Sequence, residues 1–161
     1  MFDFQHEDKL HAATRSITQA RRVQSAEPTI DGVDLEHVEQ MLRDSLAVNP
    51  DQLSAYFALY KLLFRQSRLD EAANVAELAL AVSARLGRFP APWQKLTPGA
   101  ADWSDTQSPA HFYLFTLKAL SFIRMRQGRV DVCRDMLTQI ERLDPDDSVG
   151  ASVIRAYANG C

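Results

Sequence analysis

Apolar residues recur at steps of three and four in seven stretches of the chain, and nowhere do apolar and polar residues alternate long enough to make a strand. The best-formed pair lies between residues 50 and 87. Tyr56, Leu59 and Leu63, with Leu62 beside them, mark the inner face of a helix over 52–66. Ser67 and Arg68 make the turn. Ala72, Ala73, Ala76, Ala79 and Leu80 then form the stripe of a helix over 69–86, with Gly87 as its expected C-cap. Small residues on that stripe let two helix axes approach closely.

The remaining stretches follow the same rule. Leu10, Ala13, Ile17 and Ala20 predict a helix over 8–25, and Pro28 with Asp31-Gly32 predicts a loop after it. Asp34 is the expected cap of a helix over 34–48 that buries Leu35, Val38, Leu42 and Leu46. Leu114, Leu117, Leu120 and Ile123 line one side of a helix over 110–127, closed by Gly128. Val130, Cys133, Leu137 and Ile140 point inward from a helix over 129–143, which Asp144-Pro145 stops. Asp147 or Ser148 caps a last helix reaching Ala158, with Val149, Val153, Ile154 and Tyr157 as its apolar residues. Residues 88–109 break the pattern with prolines and both tryptophans. Phe89, Trp93 and Trp103 are costly to leave in water, so this reads as an ordered connection lying over the helices.

Shifted by 34 residues, Val38, Leu42, Ser45 and Pro50 fall on Ala72, Ala76, Ala79 and Ala84. Helix-turn-helix units of that period resemble the tetratricopeptide repeat. Tyr56, Leu59, Leu63, Ala72 and Ala79 match its pattern, Ala76 stands at the aromatic site, and Tyr60 stands where the family has a small residue. In the later copy Leu117, Leu120, Ser121, Gly128, Leu137 and Pro145 match, with Cys133 and Ile140 at alanine sites. The resemblance covers residues 34–158 and implies an all-α, right-handed helix-turn-helix array of about seven helices. One domain, 1–161, is expected: an N-terminal helix and loop (1–33), first repeats (34–87), the Pro/Trp-rich connection (88–109), and a last repeat with its capping helix (110–161). The connection breaks the 34-residue register.

Composition narrows the function. Net charge is −3 and mean hydropathy is slightly negative. No field of one sign argues for nucleic acid, and no apolar run approaches the roughly eighteen residues that cross a bilayer. The N-terminal residues are polar and mixed in charge, which predicts no secretory signal and a cytoplasmic protein. Cys133 and Cys161 form no CxxC. His6, His11, His37 and His111 form no HExxH or HxxxH, Asp144, Asp146 and Asp147 read as helix caps, and no glycine-rich phosphate loop occurs. No catalytic residue, metal ligand or cofactor is assigned. The cluster Arg124, Arg126, Arg129 and Arg134 reads as solvated helix ends.

In arrays of the kind this chain resembles, the first helix of each unit lines a groove that holds a partner segment. The residues off the core stripe are Phe57, Lys61, Phe64 and Arg65 on one such helix, and Phe115, Lys118, Phe122, Met125 and Arg126 on the other. Rings and cations at steps of three and four share a face, which suits a peptide or protein segment with apolar anchors and some acidic residues. Each phenylalanine reads equally well as a core residue packed against the next unit. Chaperone-binding relatives clamp a terminal carboxylate with Lys, Asn and Arg, and the asparagines are missing here. The expected function is a non-catalytic adaptor, assembly factor or chaperone. Alternatives are a structural subunit packed into a larger complex by its Trp-bearing connection, a small chaperone of the type III secretion kind, and self-association.

Overall fold

The computed structural model describes residues 29–30 and 32–160. The chain forms two compact units, residues 1–38 and 39–161. The helix expected over 8–25, His6, His11 and Cys161 lie outside the described residues.

In the first unit, β1 (Thr29–Ile30) pairs antiparallel with β2 (Val33–Asp34), Ile30 facing Val33 in register. Gly32, at φ 79°, supplies the left-handed turn between them. Asp34 then caps α1 (Leu35–Val48): its Oδ1 accepts the backbone N–H groups of Glu36 and His37 at 3.0 and 3.3 Å. The boundary between the units falls within α1.

The second unit is a succession of helical hairpins: α2 (Leu53–Arg65), α3 (Leu69–Gly87), α4 (Pro109–Arg126), α5 (Val130–Leu143) and α6 (Ala151–Asn159). Six α-helices stand among the described residues, and the fold is all-α. From α2 to α6 each helix packs on the next, so α3 lies between α2 and α4, and α4 between α3 and α5. The alanine stripe of α3 is the reason two neighbours fit against it: Ala72, Ala73, Ala76, Ala79 and Ala84 are all buried, and none holds a helix axis away.

Two hairpins share one turn chemistry. Arg65-Gln66-Ser67-Arg68-Leu69-Asp70 recurs 61 residues later as Arg126-Gln127-Gly128-Arg129-Val130-Asp131. In the first, the N–H groups of Gln66, Ser67 and Arg68 bond the carbonyls of Leu62, Phe64 and Leu63; in the second, those of Gln127, Gly128 and Arg129 bond Ile123, Met125 and Arg124. Ser67 and Gly128 occupy the left-handed region at φ 60° and 78°. Arg68 then reaches Glu39 of α1 at 2.5 Å and Glu71 of α3 at 2.6 Å, and its guanidinium holds both carboxyls below the usual range.

The structure refines three readings. The left-handed cap of α3 is Arg88, at φ 58°, and not Gly87, which is the last helical residue. Gly87 is small for another reason, since a Cβ there would overlap the Phe89 ring. Helix α4 is buried on most sides, adding Phe112, Tyr113, Thr116 and Ser121 to its predicted stripe, because neighbours cover it from several directions. On α6, which packs on α5 and α4, Val153 and Tyr157 are exposed while Ala151 and Ala158 are buried.

The connection of residues 88–109 is held by side chains of α4 and α5. Phe89, Trp103 and Tyr113 form a three-ring cluster with centroids 5.2, 5.2 and 6.5 Å apart. The fully buried Tyr113 donates its hydroxyl to the carbonyl of Ala91, and Gln139 Nε2 donates to those of Trp93 and Leu96 at 2.8 and 2.7 Å. Trp103 Nε1 closes the loop on the carbonyl of Thr97. Trp103 is buried and Trp93 half-buried, which removes most of their apolar surface from the outside of the connection.

Candidate functional site

Helices α2 and α4 carry the rings and cations, and both place them by helical periodicity. Phe57 and Phe64 are seven residues apart, as are Phe115 and Phe122, so each pair lies on one face two turns apart. The fold sets the two faces side by side. Phe57 meets Phe115 with centroids 5.6 Å apart and planes tilted by 47°; Phe64 meets Phe122 at 5.4 Å and 44°. First ring pairs with first and second with second, so α2 and α4 run in the same direction.

All four rings are half-buried. Phe57, Phe64 and Phe115 also pack on the core. Phe122 sits between Phe64 and Tyr157, the latter 6.5 Å away and 62% exposed. Tyr157, read from the sequence as one of the apolar residues of this helix, faces outward and extends the aromatic row from α2 and α4 onto α6.

The cations cover the rings. Lys61 Nζ lies 4.8 Å from the Phe57 centroid, Lys118 Nζ 4.3 Å from that of Phe115, and the Arg126 guanidinium 5.8 Å from that of Phe64. Arg65 and Arg126 are exposed at the C-terminal ends of their helices, and Met125 is half-buried against the core. Lys118 has a second task, donating to the carbonyl of Val149 at 2.6 Å. Tyr60, at the position where a small residue was expected, is buried with its hydroxyl 3.5 Å from Thr116 Oγ1 of α4. The extra bulk is met by a small polar residue on the facing helix. Of the arginine cluster, Arg124 pairs with Glu77 of α3 and Arg134 donates to the carbonyl of Ala158.

Away from this face, a cavity of about 100 Å³ is lined by Ile140, Glu141, Asp144, Pro145, Asp147, Ala151 and Ser152. Its carboxylates are all engaged: Glu141 pairs with Arg155, and the two aspartates hold backbone N–H groups. Asp144 accepts the N–H groups of Ser148 and Val149, and Asp147 accepts the N–H and hydroxyl of Ser152, which lower its carboxyl below the ordinary range. His111 is 7% exposed on α4, its Nδ1 has no hydrogen-bond partner among the described residues, and burial lowers its basicity. Cys133 is buried on α5. No described helix is long and apolar enough to cross a membrane.

The site can therefore offer apolar notches beside two ring pairs and a rim of cations. No protein-family model matches the chain. No solved structure matches it either. It is similar to a protein of Azotobacter chroococcum mcd 1 described as an uncharacterized 19.8 kDa protein in nifW 5'region, with 28% identity over 118 residues, 72% of this chain and 66% of that relative's length. The match spans just under two thirds of the relative.

Proposed function

We propose that this chain is a non-catalytic interaction module, tetratricopeptide-like and right-handed in its winding, that holds a segment of a partner protein against the α2–α4 face. The reading rests on one observation: two half-buried ring pairs at the same two levels of adjacent helices, with cations over three of the four rings. Rings that are partly covered by their neighbours keep apolar area available for a partner, which is how a few aromatic anchors come to dominate an interface. An adaptor, assembly factor or chaperone of the cytoplasm would use such a face.

The test is affinity capture from the source cells with the wild-type protein and with Arg65→Glu/Arg126→Glu, partners being identified by mass. Partners captured by the wild type and lost by the variant, at unchanged melting temperature, support the reading. Partners retained equally by both would sink it.

A second reading, a structural subunit or self-associating chain, draws on exposed apolar side chains on the two outermost described helices: Met41 and Val48 of α1, and Val153 and Tyr157 of α6. Light scattering of the purified chain separates the two, since that reading requires a species larger than the monomer.

A further inference from the structure

We propose that the occupant of the α2–α4 face is an acidic amphipathic helix whose apolar anchors lie seven residues apart. This rests on the groove reading above and goes beyond it by fixing the partner's charge and conformation.

Charge is segregated by helix. Neither α2 nor α4 contains an aspartate or glutamate, and together they carry Lys61, Arg65, Lys118, Arg124 and Arg126. The whole chain has a net charge of −3. Its acids stand instead on α1, α3 and α5, in each of which Asp and Glu outnumber Lys and Arg. A cation at a helix C-terminus complements the helix dipole, but that accounts for the last turn and not for the lack of acid along both helices. Arg124 is neutralised by Glu77, whereas Arg65 and Arg126 form no ion pair among the described residues. An acidic segment laid on this face meets complementary charge, and a basic one is repelled.

The spacing selects the conformation. Seven residues of helix rise about 10.5 Å, which is the interval between the Phe57–Phe115 and Phe64–Phe122 levels. A partner helix laid along α2 repeats its own face at that same interval. An extended strand covers about 10 Å in three residues, and residues three apart point to opposite sides.

The rings also argue against nucleic acid. Base stacking needs open ring faces. Here the rings tilt against each other at 44–47°, and Lys61, Lys118 and Arg126 cover three of them.

The experiment is a selection from a random peptide library of about 18 residues, some five helical turns, on the full-length protein. Recovered peptides are measured on wild type, Phe122→Ser and Arg65→Glu/Arg126→Glu, each checked by circular dichroism and thermal melting. The expected consensus is net acidic with apolar residues at i, i+3 or i+4, and i+7. Its binding should weaken about tenfold or more on the arginine variant, as two reversed charges require, and fall with added salt. Peptides that need Phe122 but are basic, neutral or alternating in pattern overturn this inference and leave the groove standing. Peptides indifferent to Phe122→Ser, or no enrichment at all, overturn both. An oligouridylate that binds more tightly than the selected peptides, through Arg65 and Arg126, also overturns it. Where Phe122→Ser fails to fold, the surface arginine variant decides alone, with retained binding counting against the proposal.

Discussion

Lys118 Nζ lies 2.6 Å from the carbonyl oxygen of Val149, a bond that ties the middle of α4 to the loop ahead of α6. The same ammonium covers the Phe115 ring. It is therefore a strut between the α2–α4 face and the loop ahead of α6 as well as a cation on that face. Lys118→Met should cost about 1.5–3 kcal/mol, the range of a hydrogen bond with a charged donor, and lower the melting temperature by several degrees. Arg65→Glu, at an exposed helix end, should stay within about 0.5 kcal/mol of wild type. Thermal melts run side by side check this, and equal melting points for the two variants would contradict the strut.

The two hairpin turns make a matched pair for measuring backbone strain. Ser67 and Gly128 sit in equivalent left-handed positions, where a side chain costs on the order of 1 kcal/mol. Ser67→Gly should stabilise the protein by about 0.5–1 kcal/mol, and Gly128→Ser should destabilise it by a similar amount. Nothing lies within 4 Å of a Cβ at Gly128, so that cost is backbone alone. Urea midpoints give both values; a shift of the same sign for both would refute the equivalence of the turns.

Gln139 is the clamp on the connection. Its amide satisfies the carbonyls of Trp93 and Leu96, and Leu143 and Ile140 beside it are buried. Gln139→Leu leaves those two carbonyls without their donor, at a cost of about 1–3 kcal/mol. The loosened segment should be cut by trypsin after Lys95 faster than in wild type, read by mass spectrometry of the fragments. An unchanged cleavage rate would mean that the ring cluster holds the loop without Gln139.

His111 predicts the response to mild acid. Burial disfavours its charged form in the folded protein; Asp144 and Asp105 oppose that effect and Lys118 adds to it. The unfolded chain titrates near 6.5, so it binds the proton first as pH falls. The contribution of His111 is therefore full above about pH 6.5 and is lost as pH drops toward the lower folded-state value. Melting temperature should fall between pH 7 and 5.5, and His111→Gln should flatten that part of the curve. Parallel curves for the two proteins would remove His111 as the cause.

Local rules wrote most of the helices. Asp34 as a cap, Asp144-Pro145 as a stop, and the apolar spacings such as Tyr56, Leu59 and Leu63 place five helices to within a residue at each end. They also chose which rings and cations share a face, because that follows from 3.6 residues per turn. A periodic pattern carries no information about how far one helix slides along another. The turns repeat at 61 residues, yet the rings that touch are 58 apart (57 with 115, 64 with 122), a slip of about one helical turn. Only packing decides that slip, and it also gives Lys118 a backbone partner on a distant loop. The exposure of Tyr157 was equally out of reach, since a stripe of apolar residues looks the same whether or not a neighbouring helix covers it. The amino-acid order alone determined an all-α succession of hairpins with aromatic and basic residues on alternate helices. The tertiary structure decided that those residues meet, because side chains from segments 58 residues apart become neighbours only when the alanine stripe of α3 lets both helices close on it.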